Sequence, residues 1–417
     1  MLGLVAQPRP SAQAKIAGLS LTGILLLFTG TLVLGSGFMS MRPEVVAGLR
    51  LHPYLLPVAF AFPMMLATRI QLFPLKILVA LLVFSGMYVF SVCNGADIAI
   101  GEVFKMGSTI VTIVTCALLV RRRGDFVAGA IGLCVAAAAL AYHGLTVESA
   151  AGVEAIEGAN KNSYSLFALP AILLAGYIAL WMPTVPVVLK TIPLVCTVPA
   201  LAAIFMSGNR SGYLGAVLVG LMLFWNRRGK GLLLVAAVAS TVAYGIVQYG
   251  STKVLDERLR QTVQGNKSDD YRRDILWACW DITMENPLIG VSPQQLPFEI
   301  GRRTSNLHHY GYVESHNVAA HVLAGSGILC FAALMAVGYT MWTWRPRDGK
   351  VGGQGDPTRD ARSLIRMMVL LWFVRGMFTR EILYNPTFNI ALGLVIGLCI
   401  LSEAARRAGV GSAPAQH

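Results

Sequence analysis

Charge is scarce in this chain: 13% of its 417 residues are Asp, Glu, Lys or Arg, against 55% hydrophobic ones. Soluble domains carry about twice that charged share. An ordinary soluble fold is therefore excluded, and a polytopic membrane protein is expected. Cysteine pairing is missing as well. Cys116, Cys134, Cys196, Cys330 and Cys399 fall inside apolar stretches, Cys93 lies near a boundary, and Cys279 stands alone in a polar region. With no CxxC and no spaced framework, neither a disulfide scaffold nor a thiolate metal site is expected. There is also no Walker A loop, dinucleotide-binding glycine turn or GxSxG elbow, which leaves ATP, NAD and serine hydrolase chemistry without support. His316 and His321 stand roughly 140° apart around a helix, so they do not form the i,i+4 metal pair of an HExxH site. His308 and His309 are adjacent and loop-borne. No metal and no cofactor is expected.

What the chain does have is long apolar runs. A span needs about 20 apolar residues, and about twelve candidates can be marked. They centre on 19–39, 53–68, 73–93, 106–120, 126–143, 164–182, 186–206, 212–225, 231–249, 317–342, 364–380 and 386–403. The first is too long for a signal-peptide core and lacks a small-residue cleavage site, so it is read as a span. The expected fold is an all-α integral membrane protein, with residues 1–417 forming one polytopic domain.

Basic residues set its orientation. With a cytoplasmic N-terminus, alternate loops carry Arg9 and Lys15, Arg69 and Lys76, Arg121 to Arg123, Arg227, Arg228 and Lys230, Arg345 to Arg362, and Arg406 and Arg407. The opposite loops are poorer in bases and hold Asp97, Glu102, Glu148, Glu154 and Glu157. The net charge of +13 is thus largely an orientation signal and does not point to nucleic acid. An even span count brings the C-terminus back to the cytoplasm. The one long loop, about residues 250–315, is then outside the inner leaflet.

That loop mixes both charges, as a solvated face would. Within it, Asp269 to Asn286 reads as a helix, with Ser268 or Asp269 as cap, Ile275, Cys279 and Ile282 at helical spacing, and Pro287 as its stop. Arg272 and Arg273 fall in its first turn, where the macrodipole favours acids, unless an anion joins them. Neighbouring Asp269, Asp270 and Asp274 offer a simpler pairing. Arg210 occupies Ser207-Gly208-Asn209-Arg210-Ser211-Gly212, a short outer turn between two spans, as an anion ligand or a snorkelling turn residue. Arg375 lies inside a span, where a charge costs roughly 2.5–3.5 kcal/mol, so a polar interior is expected around it. Arg380 and Glu381 follow and can pair at the surface. Pro57, Pro63, Pro193 and Pro199 mark kinks that would open a lipid-side entrance or serve packing alone.

His316 starts the tenth span in Glu314-Ser315-His316-Asn317. The helix N-terminus and nearby arginines should lower its pKa and keep the imidazole neutral near pH 7, able to accept a proton. The other reading is a wet boundary histidine.

These residues together resemble the O-antigen ligase family of bacterial envelope glycosyltransferases, polytopic proteins with a long outer loop that ends in a histidine motif. His316-Asn317 is followed after nine residues by Gly327, as in the family pattern, with Cys330 standing where the pattern has Gly, Thr or Tyr. Ser207 to Gly212 looks like the family's arginine turn. Arg273-Asp274-Ile275-Leu276-Trp277 and Asn286-Pro287-Leu288-Ile289-Gly290 look like its Arg-x-x-x-Trp and Asn-Pro-Leu-x-Gly stretches. The resemblance covers residues 205–330 by motif and the whole chain by layout.

It implies a glycan donor on undecaprenyl pyrophosphate, a lipid A-core acceptor, and chemistry at the periplasmic face of the inner membrane without metal or nucleotide. It makes His316 the general base of an inverting transfer, and Arg210 and Arg273 the pyrophosphate ligands with Arg272 as a third. Asn317, Arg375 and Arg380 are further candidates. An O-antigen polymerase of the same superfamily is the alternative. A solute transporter is a more distant one, because no paired internal repeat is visible and the unusual residues gather at one face.

Overall fold

Apolar segments in lipid must satisfy their backbone internally, and a helix does so within one segment. The computed structural model describes residues 20–37, 44–46, 49–95, 99–146, 161–206, 209–225, 267–304, 311–345 and 357–407. It is helical almost throughout. In order the helices are α1 (Leu21–Leu32, continued by Leu34–Gly37), α2 (Leu55–Arg69), α3 (Leu75–Cys93), α4 (Ile100–Leu119), α5 (Arg123–Thr146), α6 (Lys161–Trp181) and α7 (Val187–Met206). There follow α8 (Arg210–Trp225), α9 (Lys267–Glu285), α10 (Leu296–Arg303), α11 (Val318–Trp342), α12 (Pro357–Gly376) and α13 (Pro386–Arg407). The regular non-helical structure among the described residues is a two-stranded antiparallel hairpin, Glu44–Val46 with Leu49–Arg50.

Eight helices, α2 to α7, α11 and α13, are long and apolar enough to cross a membrane. Two shorter apolar ones, Leu21–Ser36 and Ser211–Leu223, cover the expected first and eighth spans. Helix α12 covers the eleventh, and carries Arg359, Asp360, Arg362, Arg366 and Arg375 in its 20 residues. The expected span 231–249 and the first part of the long loop lie outside the described residues.

Helix α6 is the hub. It contacts α5, α7, α8, α12 and α13, and its residues from Tyr164 to Ala175 are almost all buried. Lipid supplies no hydrophobic drive between helices, so close backbone approach has to bring them together. Gly393 and Gly397, one turn apart on α13, provide it. A Cβ on either would come within 2.7 Å of the Ile113 carbonyl oxygen or 2.6 Å of that of Ala117 on α4.

At one end of the bundle Asp125, 2% exposed, ties α5 to α1. Its Oδ2 accepts from the Arg121 and Arg122 N–H groups at 2.9 and 3.0 Å and from Thr22 Oγ1 at 3.1 Å, while Ser20 donates to Oδ1. The carboxylate thereby satisfies two of the donors that a helix start leaves without partners. Outside the bundle, α9 packs its Ile275, Ala278, Cys279 and Ile282 face, with Leu296 and Ile300 of α10, against α11.

Candidate functional site

The opposite end of the bundle gathers the unusual residues, and a break in α11 organises it. The sequence reads as one span through this stretch, yet Gly327 adopts φ 79° and ψ 174°, a conformation essentially restricted to glycine. The chain after α9 fills the break. Ile328 N–H donates to the Pro287 carbonyl at 2.8 Å and Val291 N–H to that of Ala324 at 3.0 Å. A Cβ on Gly327 would stand 2.1 Å from the Leu288 oxygen, and one on Gly290 2.5 Å from that of Gly325. The Asn286–Gly290 stretch and the glycine of the histidine motif are therefore two halves of one joint.

The same joint aims the start of α11. Asn317 is its N-cap: Oδ1 accepts from Ala320 N–H at 3.0 Å, and Nδ2 donates to the Met377 carbonyl at 3.2 Å just beyond α12. His316 accordingly does not begin the helix. It precedes the cap in left-handed backbone geometry, φ 48°, and is half-buried. A non-glycine residue rarely adopts this conformation, which persists only where its surroundings enforce it. Its pKa is lowered as expected, with burial as the main cause. Glu314 opposes the shift, Arg272 and Arg380 add to it, and Glu381 opposes it more weakly.

Arg380 does not pair with its neighbour Glu381. Its Nη2 donates to Glu314 Oε1 at 2.6 Å, clamping the segment two residues before His316. Burial, the largest single effect, lowers the Arg380 pKa, but Glu314 with Tyr312 and Glu102 together leave it above its ordinary value.

The arginines separate into different environments. Helix α9 starts at Lys267, two residues ahead of the expected start at Asp269, which moves Arg272 and Arg273 out of the first turn and puts Asp269 and Asp270 into it, where the dipole favours acids. Arg273 pairs with Asp270 at 3.2 Å on the surface. Of these two, Arg272 is the one whose charge reaches His316. Arg302 and Arg303 bind Glu299 and Glu285, as a solvated mixed-charge face would.

Arg375 is completely buried and donates to Ser165 Oγ at 2.8 Å. Ser165 Oγ also accepts from Asn209 Nδ2 at 3.1 Å. Asn209 in turn caps α8, its Oδ1 accepting from Ser211 and Gly212 N–H at 3.1 and 3.3 Å. Arg210 is the first residue of α8. A run of hydrogen bonds thus joins α12, α6 and the start of α8, while Asn317 joins α11 to the end of α12.

The sequence reading missed a second polar cluster. Tyr88 OH lies 3.3 Å from His321 Nε2 and is hydrogen-bonded to Tyr384 OH, and all three side chains are buried or nearly so. Lys105 Nζ pairs with Glu102 at 2.7 Å and sits 5.7 Å from the Tyr384 ring centroid. Ser315 Oγ and Gln294 Oε1 are buried without a hydrogen-bond partner among the described residues. The tyrosines gave no signal in an aromatic membrane sequence; the pairing of His321 with Tyr88 spans 233 positions. Among the described residues, no three His, Cys, Asp or Glu side chains come together as a metal-holding group.

The O-antigen ligase family model matches residues 195–335, which run from α7 through α11 and contain the arginine turn, the joint and His316. No curated protein matches the chain.

Proposed function

Taking as premise that residues 195–335 belong to the O-antigen ligase family, we propose that this membrane protein transfers a glycan from undecaprenyl pyrophosphate to a lipid A-core acceptor. The observation that carries the reading is His316: half-buried, held in an uncommon backbone conformation and kept neutral by burial beside two arginines.

The acceptor hydroxyl oxygen attacks the anomeric carbon as the bond to pyrophosphate breaks and its electron pair leaves with the phosphate oxygen. His316 takes the hydroxyl proton. A neutral imidazole suits this task, whereas a protonated one could not accept. Charge grows on the leaving pyrophosphate, and guanidinium donors stabilise it more in the transition state than before. Arg210 at the helix start and Arg272 are the first ligands. Arg273 is a third, because an exposed ion pair worth about 0–1 kcal/mol is easily exchanged for a doubly charged phosphate. Asn317 orients His316 as the cap beside it, while Arg380 does so through Glu314. Arg375 supports the Arg210 turn through Ser165 and Asn209. Direct displacement by one base predicts inversion at the anomeric carbon and no glycosyl-enzyme. These residues neutralise the leaving group themselves, so the reading needs no metal or nucleotide.

Orientation by the positive-inside pattern puts the site on the periplasmic side of a bacterial inner membrane, with both termini cytoplasmic. A polymerase would differ in its acceptor, a second lipid-linked glycan. Glycan profiles of a deletion strain separate the two. Loss of a ligase leaves long glycan on the carrier and bare core, restored by the wild-type gene and not by His316→Ala. Single repeats on the core would mark a polymerase instead and overturn the ligase assignment.

A further inference from the structure

Next to Arg380 is a cavity of about 240 Å³ whose wall includes Glu102, Gln294, Pro297, Phe298, Tyr312 and Arg380. It is adjacent to the site, because Arg380 both lines it and binds Glu314 two residues before His316. Its chemistry is unlike that of an anion site. The two full charges on its wall are already compensated, Glu102 by Lys105 at 2.7 Å and Arg380 by Glu314 at 2.6 Å. A pyrophosphate would therefore meet a carboxylate and no uncommitted cation.

The remaining groups fit a neutral, hydroxyl-rich ring. Phe298 and Tyr312 stand edge to face at 5.3 Å, both substantially exposed. An aromatic face is electron-rich and packs against the weakly positive C–H groups on one side of a pyranose. Gln294 also lines the wall, and its amide carries both a donor and an acceptor for sugar hydroxyls. Glu102 and Arg380 can accept from and donate to further hydroxyls at the rim. The volume suits a single sugar residue, not an oligosaccharide.

We infer that this cavity holds the terminal sugar of the acceptor and presents its hydroxyl towards His316, with Gln294 and Phe298 as its specificity-determining residues. This rests on the transfer reading given above and adds the location of the second substrate.

The test is steady-state transfer by reconstituted wild type, Gln294→Ala, Phe298→Ala and Phe298→Trp, with lipid-linked donor and lipid A-core acceptor varied separately. It is paired with equilibrium binding of core oligosaccharide freed from lipid A by mild acid. Gln294→Ala should raise the acceptor KM about fivefold or more, as loss of one hydrogen bond does, and leave the donor KM unchanged. Phe298→Ala should act likewise, and Phe298→Trp should restore binding by restoring an aromatic face. An unchanged acceptor KM in correctly melting variants, or a rise in the donor KM instead, overturns the assignment. Wild type that binds the oligosaccharide in a Gln294-dependent manner but makes no product would support the cavity and sink the transfer reading. Wild type that does neither overturns both.

Discussion

His316 has to be neutral to accept a proton, so the charges around it should be readable in the pH dependence of transfer. Activity then falls on the acid side, as the imidazole protonates, at a pH below the ordinary histidine value. Arg272 pushes this pKa down, so Arg272→Gln should raise it and move the acid limb of kcat/KM to higher pH. Glu314 pushes it up, so Glu314→Gln should move the limb to lower pH. Opposite displacements from two substitutions are hard to obtain from misfolding; the same displacement from both would contradict the placement of these charges. At this scale the sequence was informative about which residues were unusual and silent about their partners. The histidine and arginines stand out because lipid-crossing segments avoid charge and because they fall in short motifs. Their contacts are fixed by packing: Arg380 with Glu314 spans 66 positions, and Arg375 with Ser165 spans 210.

Among the elements, α9 was legible and the break in α11 was not. Ile275, Cys279 and Ile282 repeat at helical spacing, and all three are buried against α10 and α11. Their period reports a face, whatever that face meets. Its start was misjudged by two residues, since acidic residues suit both a cap and a first turn. Helix α11 reads as continuous because the stretches before and after Gly325-Ser326-Gly327 are largely apolar, and glycine inside such a run is common in membrane helices. Its conformation is imposed by the Leu288 carbonyl that lies against it. Gly327→Ala should therefore destabilise the detergent-solubilised protein by about 1–3 kcal/mol from backbone strain alone, and more from the clash with Leu288. It should also lower transfer, because the joint aims the start of α11. A thermal unfolding curve and an activity matching wild type would remove the joint from the account.

The molecule as a whole separates its tasks by end. The end around Asp125, beside Arg121 to Arg123, is a structural closure that ties α1 to α5, and the other end concentrates His316, Arg272, Arg380 and the Arg375 to Asn209 run. The alternation of basic loops is the sequence's own indication of sidedness, because insertion sorts charge by side. The layout of apolar stretches was visible too, and 11 of the 12 expected stretches coincide with described helices. Pocket shape was not visible, since the cavity beside Arg380 draws on the starts of α4 and α10 and on flanking residues, from Ala99 to Arg380, 281 positions apart. The central claim is a metal- and nucleotide-independent glycosyl transfer that runs through His316. It is tested most directly by incubating purified protein in liposomes with lipid-linked O-antigen and lipid A-core, in the presence of chelator and absence of nucleotide, and comparing wild type with His316→Ala. Product from wild type, lost to background in a His316→Ala protein of unchanged melting temperature, is the predicted result. Conversion by His316→Ala at close to the wild-type rate would contradict it.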